Sequence, residues 1–144
     1  MAVLCFILGL IPAGIGFVLN WAVRKVNLAG SFWASLVFLL IWGILSYLLG
    51  SKCKNTKTVV LGLNAVAIIG VIYVALQEYV LHYSVLGGRV TSFFNYFFMP
   101  GNPLSFMFLS NMHRFHYVVL VLIDLVLMVI VSIVGASYGK VKHN

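Results

Sequence analysis

Within the stretch EYVLH, Glu78 and His82 stand four residues apart, and within HRFH, His113 and His116 stand three apart. On a helix either spacing brings two side chains onto one face. Carboxylate with imidazole is a donor set that takes a divalent cation such as zinc or iron. Eight residues beyond His116 comes Asp124, inside the apolar run YVVLVLIDLVLMVIVSIVG. An aspartate at the centre of a membrane helix costs about 2.5–3.5 kcal/mol, so it needs a partner, a bound proton or a role. Arg114, Arg89, Arg24, Tyr117 and Asn20 are the groups placed to serve it.

Three chemistries follow. In the first, Glu78, His82, His113 and His116 ligate a divalent metal, with Asp124 as base or outer hydrogen-bond partner. No HExxH joins ligand to general base, and histidines near a membrane surface more often contact headgroups or a protein wall. Haem held by His82 and either His113 or His116 is weaker still, because these histidines stand at span ends and not beside small residues within one. In the second, Asp124 and Glu78 carry an ion or proton, with Asn20, Tyr117 and Arg114 completing a binding set and Asn64 extending a discontinuous polar track. In the third, these groups only hold the protein together. Nucleophilic catalysis has little support: Ser84, Ser105 and Ser110 sit in no GxSxG elbow, and LGGR is too short for a phosphate loop. Cys5 and Cys53 form no CxxC and are expected to be unpaired thiols.

The elements that position these residues follow from hydropathy. Of 144 residues, 63% are hydrophobic and 8% charged, and the mean hydropathy is +1.13, far from a soluble domain. Four stretches approach the roughly 20 apolar residues that cross a bilayer: Ala2 to Val23, Ser31 to Gly50, Thr58 to Val80 and Tyr117 to Tyr138. Their runs are continuous and not alternating, so helices and not barrel strands satisfy the backbone. The expected fold is all-α: a polytopic four-helix transmembrane bundle forming one domain over residues 1–144. No basic residue precedes the first apolar run, so a cleaved signal peptide is not expected. The net charge of +7 is spread over loop ends, which suits lipid headgroups and excludes a nucleic-acid stripe.

Four crossings put both termini and the loop Ser51 to Lys57 on one side, with Lys52, Lys54, Lys57, Lys140 and Lys142. The other side holds Arg24, Lys25, Arg89 and Arg114. The positive-inside rule makes the lysine side cytoplasmic. The tail KVKHN is read as a snorkelling basic end and not a retrieval signal, so the plasma membrane is expected over the endoplasmic reticulum. Both acidic residues, three of four histidines and all three arginines gather toward the opposite half.

Small and polar residues mark where helices meet. The seams read Gly9, Ala13, Gly16 and Asn20; Ser35, Gly43, Ser46 and Gly50; Asn64, Ala67, Val71, Ala75, Glu78 and His82; and Tyr117, Asp124, Met128, Val131, Gly135 and Tyr138. They predict a closed bundle, with Pro12 shaping the first helix. Between the third and fourth helices lies an aromatic-rich interfacial or re-entrant segment, about residues 89–112. Its Val90, Phe93, Phe94, Phe97 and Phe98 repeat with helical period, an amphipathic helix expected to anchor the loop at headgroup depth. These features together predict a non-catalytic binding or accessory subunit that contacts membrane lipids and either a membrane-protein partner or further copies of itself. A small transporter or ion conductor and an interfacial metalloenzyme are the alternatives.

Overall fold

The computed structural model describes residues 2–23, 31–53, 55–80, 89–102 and 117–142. Six helices lie within the described residues: α1 Ala2–Leu8, α2 Ile11–Val23, α3 Ser31–Lys52, α4 Thr56–Tyr79, α5 Arg89–Phe98 and α6 Tyr117–Lys142. No strand occurs among the described residues. Four segments are long and apolar enough to cross a membrane: Ala2–Leu19, Phe32–Lys52, Thr56–Tyr79 and Tyr117–Val141. The protein is therefore all-helical with four candidate membrane spans, as hydropathy predicts.

The first span is interrupted. Pro12 has no amide proton and its ring collides with the carbonyl four residues earlier, so the ladder gives way at Gly9–Leu10. Short i to i−3 bonds bridge the gap, from Leu10 N–H to Ile7 O at 3.1 Å and from Ala13 N–H to Leu10 O at 3.1 Å. α3 runs two residues past Gly50, and α4 starts two residues before Thr58. The reason is local: the Asn55 side chain accepts the Lys57 N–H at 3.0 Å, an N-cap that opens α4 ahead of the apolar run.

α6 is the organising helix. It packs along α3 on one side and α4 on another, α1 rests on α4, and α5 bridges α2 and α4. The α3–α6 seam is built on small residues: a Cβ on Gly135 would lie 2.6 Å from the Gly43 carbonyl oxygen, so the backbones touch as only glycine permits. One turn on, Gly139 meets the backbone of Tyr47 and Ser51. This corrects the predicted stripe on α6. Tyr138 is 71% exposed, and the buried line runs Val121, Asp124, Met128, Ser132, Ala136 and Gly139. The contact with α3 selects the glycine and turns the bulky tyrosine outward.

α5 also departs from expectation. Val90 and Phe93 are exposed, but Phe94, Phe97 and Phe98 are buried in the protein. Phe94 stacks on Tyr73 of α4 with centroids 4.9 Å apart, and Tyr96 meets Phe17 of α2 edge-on at 5.9 Å. A Cβ on Gly70 would fall 2.7 Å from Phe94 Cδ1 and 2.9 Å from Phe98 Cε2. The apolar face of this amphipathic helix has found a glycine-lined groove of α4.

Candidate functional site

The predicted stripe on α4 does face α6. The Asn64 Nδ2 group donates to Ser132 Oγ at 3.0 Å and to the Val60 carbonyl of its own helix at 2.8 Å. Ser132 Oγ in turn donates to the Met128 carbonyl at 2.7 Å. Fourteen residues along α4, about 21 Å at a rise of 1.5 Å, Glu78 Oε2 accepts the backbone N–H of Val118 at 3.0 Å. Val118 and Ser132 are likewise fourteen apart, so both contacts belong to one antiparallel register.

The Glu78 contact has a clear physical use. The first amides of a helix have no intrahelical acceptor, and the positive end of the helix dipole favours an anion there. Glu78, 9% exposed at the end of α4, supplies both to the start of α6. One of the four predicted metal ligands thus has a carboxylate oxygen engaged by backbone. The other three, His82, His113 and His116, lie outside the described residues, as do Arg114 and Arg24. Asn20 belongs to α2 through its backbone, and its side chain lies outside the description. Arg89 is exposed at the head of α5.

Asp124 is 2% exposed, six residues and about 9 Å below Val118 along α6. Its carboxyl group packs on the turn that follows α5: a Cβ on Gly101 would lie 2.7 Å from both its Cγ and its Oδ1. Glycine is needed here because any side chain would displace the carboxylate. In the same corner Asn102 and Asp124 both stand near enough to the Tyr117 phenol to act on it. Asn102 Oδ1 is buried without a hydrogen-bond partner among the described residues. The structure thus brings together Asp124, Tyr117 and Asn102, the last unanticipated because it follows a proline-glycine turn with no periodic signal. Val121 and Met128 fill the neighbouring turns of the buried stripe.

Beside this corner lies a cavity of about 240 Å³ between α4, α5 and the start of α6. Tyr73, Gln77, Thr91, Phe94, Asn95 and Tyr117 line it, and the Tyr73 hydroxyl and Thr91 Oγ1 are 2.9 Å apart. Three rings, two amides and three hydroxyls are the chemistry of recognition by stacking and hydrogen bonding. A second, apolar groove of about 580 Å³ runs along α3 and α6 past Leu40, Gly43, Tyr47 and Gly135.

At the other membrane face, Cys5 and Cys53 are both free and both buried. They are unpaired thiols, as the absence of a CxxC predicts.

The fold is that of an all-helical protein with four helices long and apolar enough to cross a membrane. No protein-family model matches the chain, and neither a curated protein nor a solved structure does.

Proposed function

We propose that the chain is a non-catalytic binding or accessory subunit of a membrane assembly. The observation that carries this reading is the division of labour among its polar groups. Glu78 serves the α6 amide and Asp124 packs on Gly101, while the lining of the adjacent cavity offers rings, amides and hydroxyls. Such a lining binds a small amphipathic ligand or a partner's side chain. The apolar α3–α6 groove suits a lipid acyl chain or a helix of a partner or second copy. In this reading α5 is re-entrant: its contact at Gly70 lies nine residues, about 13 Å, from the Tyr79 end of α4. Both termini face the cytoplasm, following the lysine bias, and the tail, read as a snorkelling basic end, places the chain in the plasma membrane.

A transporter or ion conductor using Asp124 with Glu78 is the second reading, favoured by their common half of the α4–α6 seam and by Tyr117 beside Asp124. Purified protein in liposomes with an entrapped pH dye separates the two. Under an imposed proton or cation gradient, the subunit reading expects flux equal to protein-free vesicles for the wild type and for Asp124→Asn alike. Flux that requires Asp124 overturns it.

A further inference from the structure

We infer that the cavity between α4, α5 and the start of α6 binds one small uncharged aromatic molecule whose edge sets a hydrogen-bond donor beside an acceptor, as a carboxamide or a lactam does. The assignment rests on the binding role proposed above. Gln77 is the key group. It is 8% exposed, its side chain lines the cavity, and its amide has no hydrogen-bond partner among the described residues. A buried amide without a partner is disfavoured, and one that lines a cavity is completed by the occupant. The Asn95 amide lines the same space from α5 and is exposed, so it stands at the mouth while Gln77 lies deeper. The hydroxyls of Tyr73 and Thr91 face each other at 2.9 Å, which leaves the two amides and the Tyr117 phenol to read the ligand.

A primary amide sets two N–H donors beside a carbonyl acceptor. A ligand edge with both functions pairs with it fully, whereas a ketone leaves the amide oxygen alone and a hydrocarbon leaves every polar atom alone. Among the described residues no charged side chain lines the cavity, so an ionised ligand would lose its hydration without compensation. Tyr73 and Phe94 stack with centroids 4.9 Å and planes 28° apart, and together they make an aromatic wall against which a flat ring packs. Size narrows the class further. An apolar cavity of about 150 Å³ holds benzene, so about 240 Å³ takes one ring with a substituent of a few atoms and excludes fused polycycles.

The full-length protein in lipid nanodiscs is titrated with para-fluorobenzamide, and binding is followed by fluorine NMR line broadening against empty nanodiscs. Saturable binding that unlabelled benzamide displaces is expected, with a Kd of about 1 mM or tighter. para-Fluoroacetophenone keeps the ring and the carbonyl but has no N–H, and it should bind about tenfold more weakly. para-Fluorobenzoate should not bind above empty nanodiscs. Gln77→Leu keeps the bulk and removes the amide, so it should weaken para-fluorobenzamide about tenfold and bring it level with the ketone. Val74→Phe puts a ring into the same cavity and should abolish binding of both neutral probes. Benzamide signals equal to those of empty nanodiscs, an unchanged Kd in Gln77→Leu, a site that survives Val74→Phe, or a preference for benzoate would each overturn the inference. Its failure leaves the subunit reading standing, because that reading is tested by flux into liposomes, and flux that requires Asp124 would in turn leave the benzamide affinities unchanged.

Discussion

Replacing Glu78 tests whether its carboxylate serves structure. In Glu78→Ala the Val118 N–H, which now reaches Oε2 at 3.0 Å, loses its acceptor at a position where water is largely absent. An orphaned buried donor costs about 1–3 kcal/mol, and losing a helix cap about 0.5–2 kcal/mol, so about 2 kcal/mol is the expected loss. Glu78→Gln keeps an oxygen at the same place and removes only the charge facing the dipole, a cost of about 0.3–1 kcal/mol. At about 3 °C per kcal/mol for a chain of this size, alanine should lower Tm by about 6 °C and glutamine by about 2 °C. Thermal unfolding in a mild detergent, followed by fluorescence of the three tryptophans, reads the difference. A chelator should leave the wild-type Tm unchanged, whereas a metal held by Glu78, His82, His113 and His116 would make the wild type, but not Glu78→Ala, sensitive to it. An alanine variant that melts with the wild type, or a glutamine variant as damaged as alanine, would refute the capping argument.

Gly135→Ala should destabilise by about 1–3 kcal/mol through overpacking, since the new methyl meets the Gly43 carbonyl at 2.6 Å. Gly14→Ala, where a Cβ meets nothing within 4 Å, should be neutral or stabilising by up to about 1 kcal/mol, and the same melting experiment compares them. A double-mutant cycle of Asn64→Leu and Ser132→Ala should give a coupling near 0.6 kcal/mol, the size typical of interhelical hydrogen bonds in lipid. The single change Asn64→Leu should cost little, because Asn64 Oδ1 is buried without a partner among the described residues. Zero coupling in unfolding free energy would show that the 3.0 Å contact does not hold α4 to α6.

The number of spans was legible because length and apolarity alone determine it: each run is about one bilayer long. Helix ends were less so. Lys52 and Thr56 carry no hydropathic signal for helix, and only the Asn55 cap explains why α4 opens there. The face of α4 was readable since Asn64, Ala67, Val71 and Glu78 offer one polar and small stripe. α6 offered two, because small residues follow Met128 on both sides of the wheel. Val131, Gly135 and Tyr138 continue one phase, and Ser132, Ala136 and Gly139 the other. α3 takes parts of both, Val131 and Gly135 at Gly43 and then Gly139 at Tyr47 and Ser51, so only Tyr138 leaves the seam, where the α3 backbone would exclude it.

The candidate site divides along the same physical line. A carboxylate in an apolar run announces its cost wherever the partner sits, so Asp124 and Glu78 were visible without a fold. Their surroundings were not. Gly101 lies in a turn without periodicity, and its contact with Asp124 exists only because α5 packs on α2 and reaches α4. α5 does so because Gly16 of α2 admits the backbone at Tyr96 and Gly70 of α4 clears space for Phe94 and Phe98. An amphipathic pattern specifies that one face must be covered, but lipid and protein offer almost the same transfer free energy to an aromatic ring. Close packing, and hence a glycine on each facing helix, decides between them. Asp124 is thereby enclosed by a segment whose sequence reads as a surface anchor. Gly101→Ala, which places a methyl 2.7 Å from its carboxyl carbon, should loosen that enclosure and raise the hydrogen-exchange rate of residues 95 to 102 above wild type, while leaving the Asn64–Ser132 end of the seam unchanged.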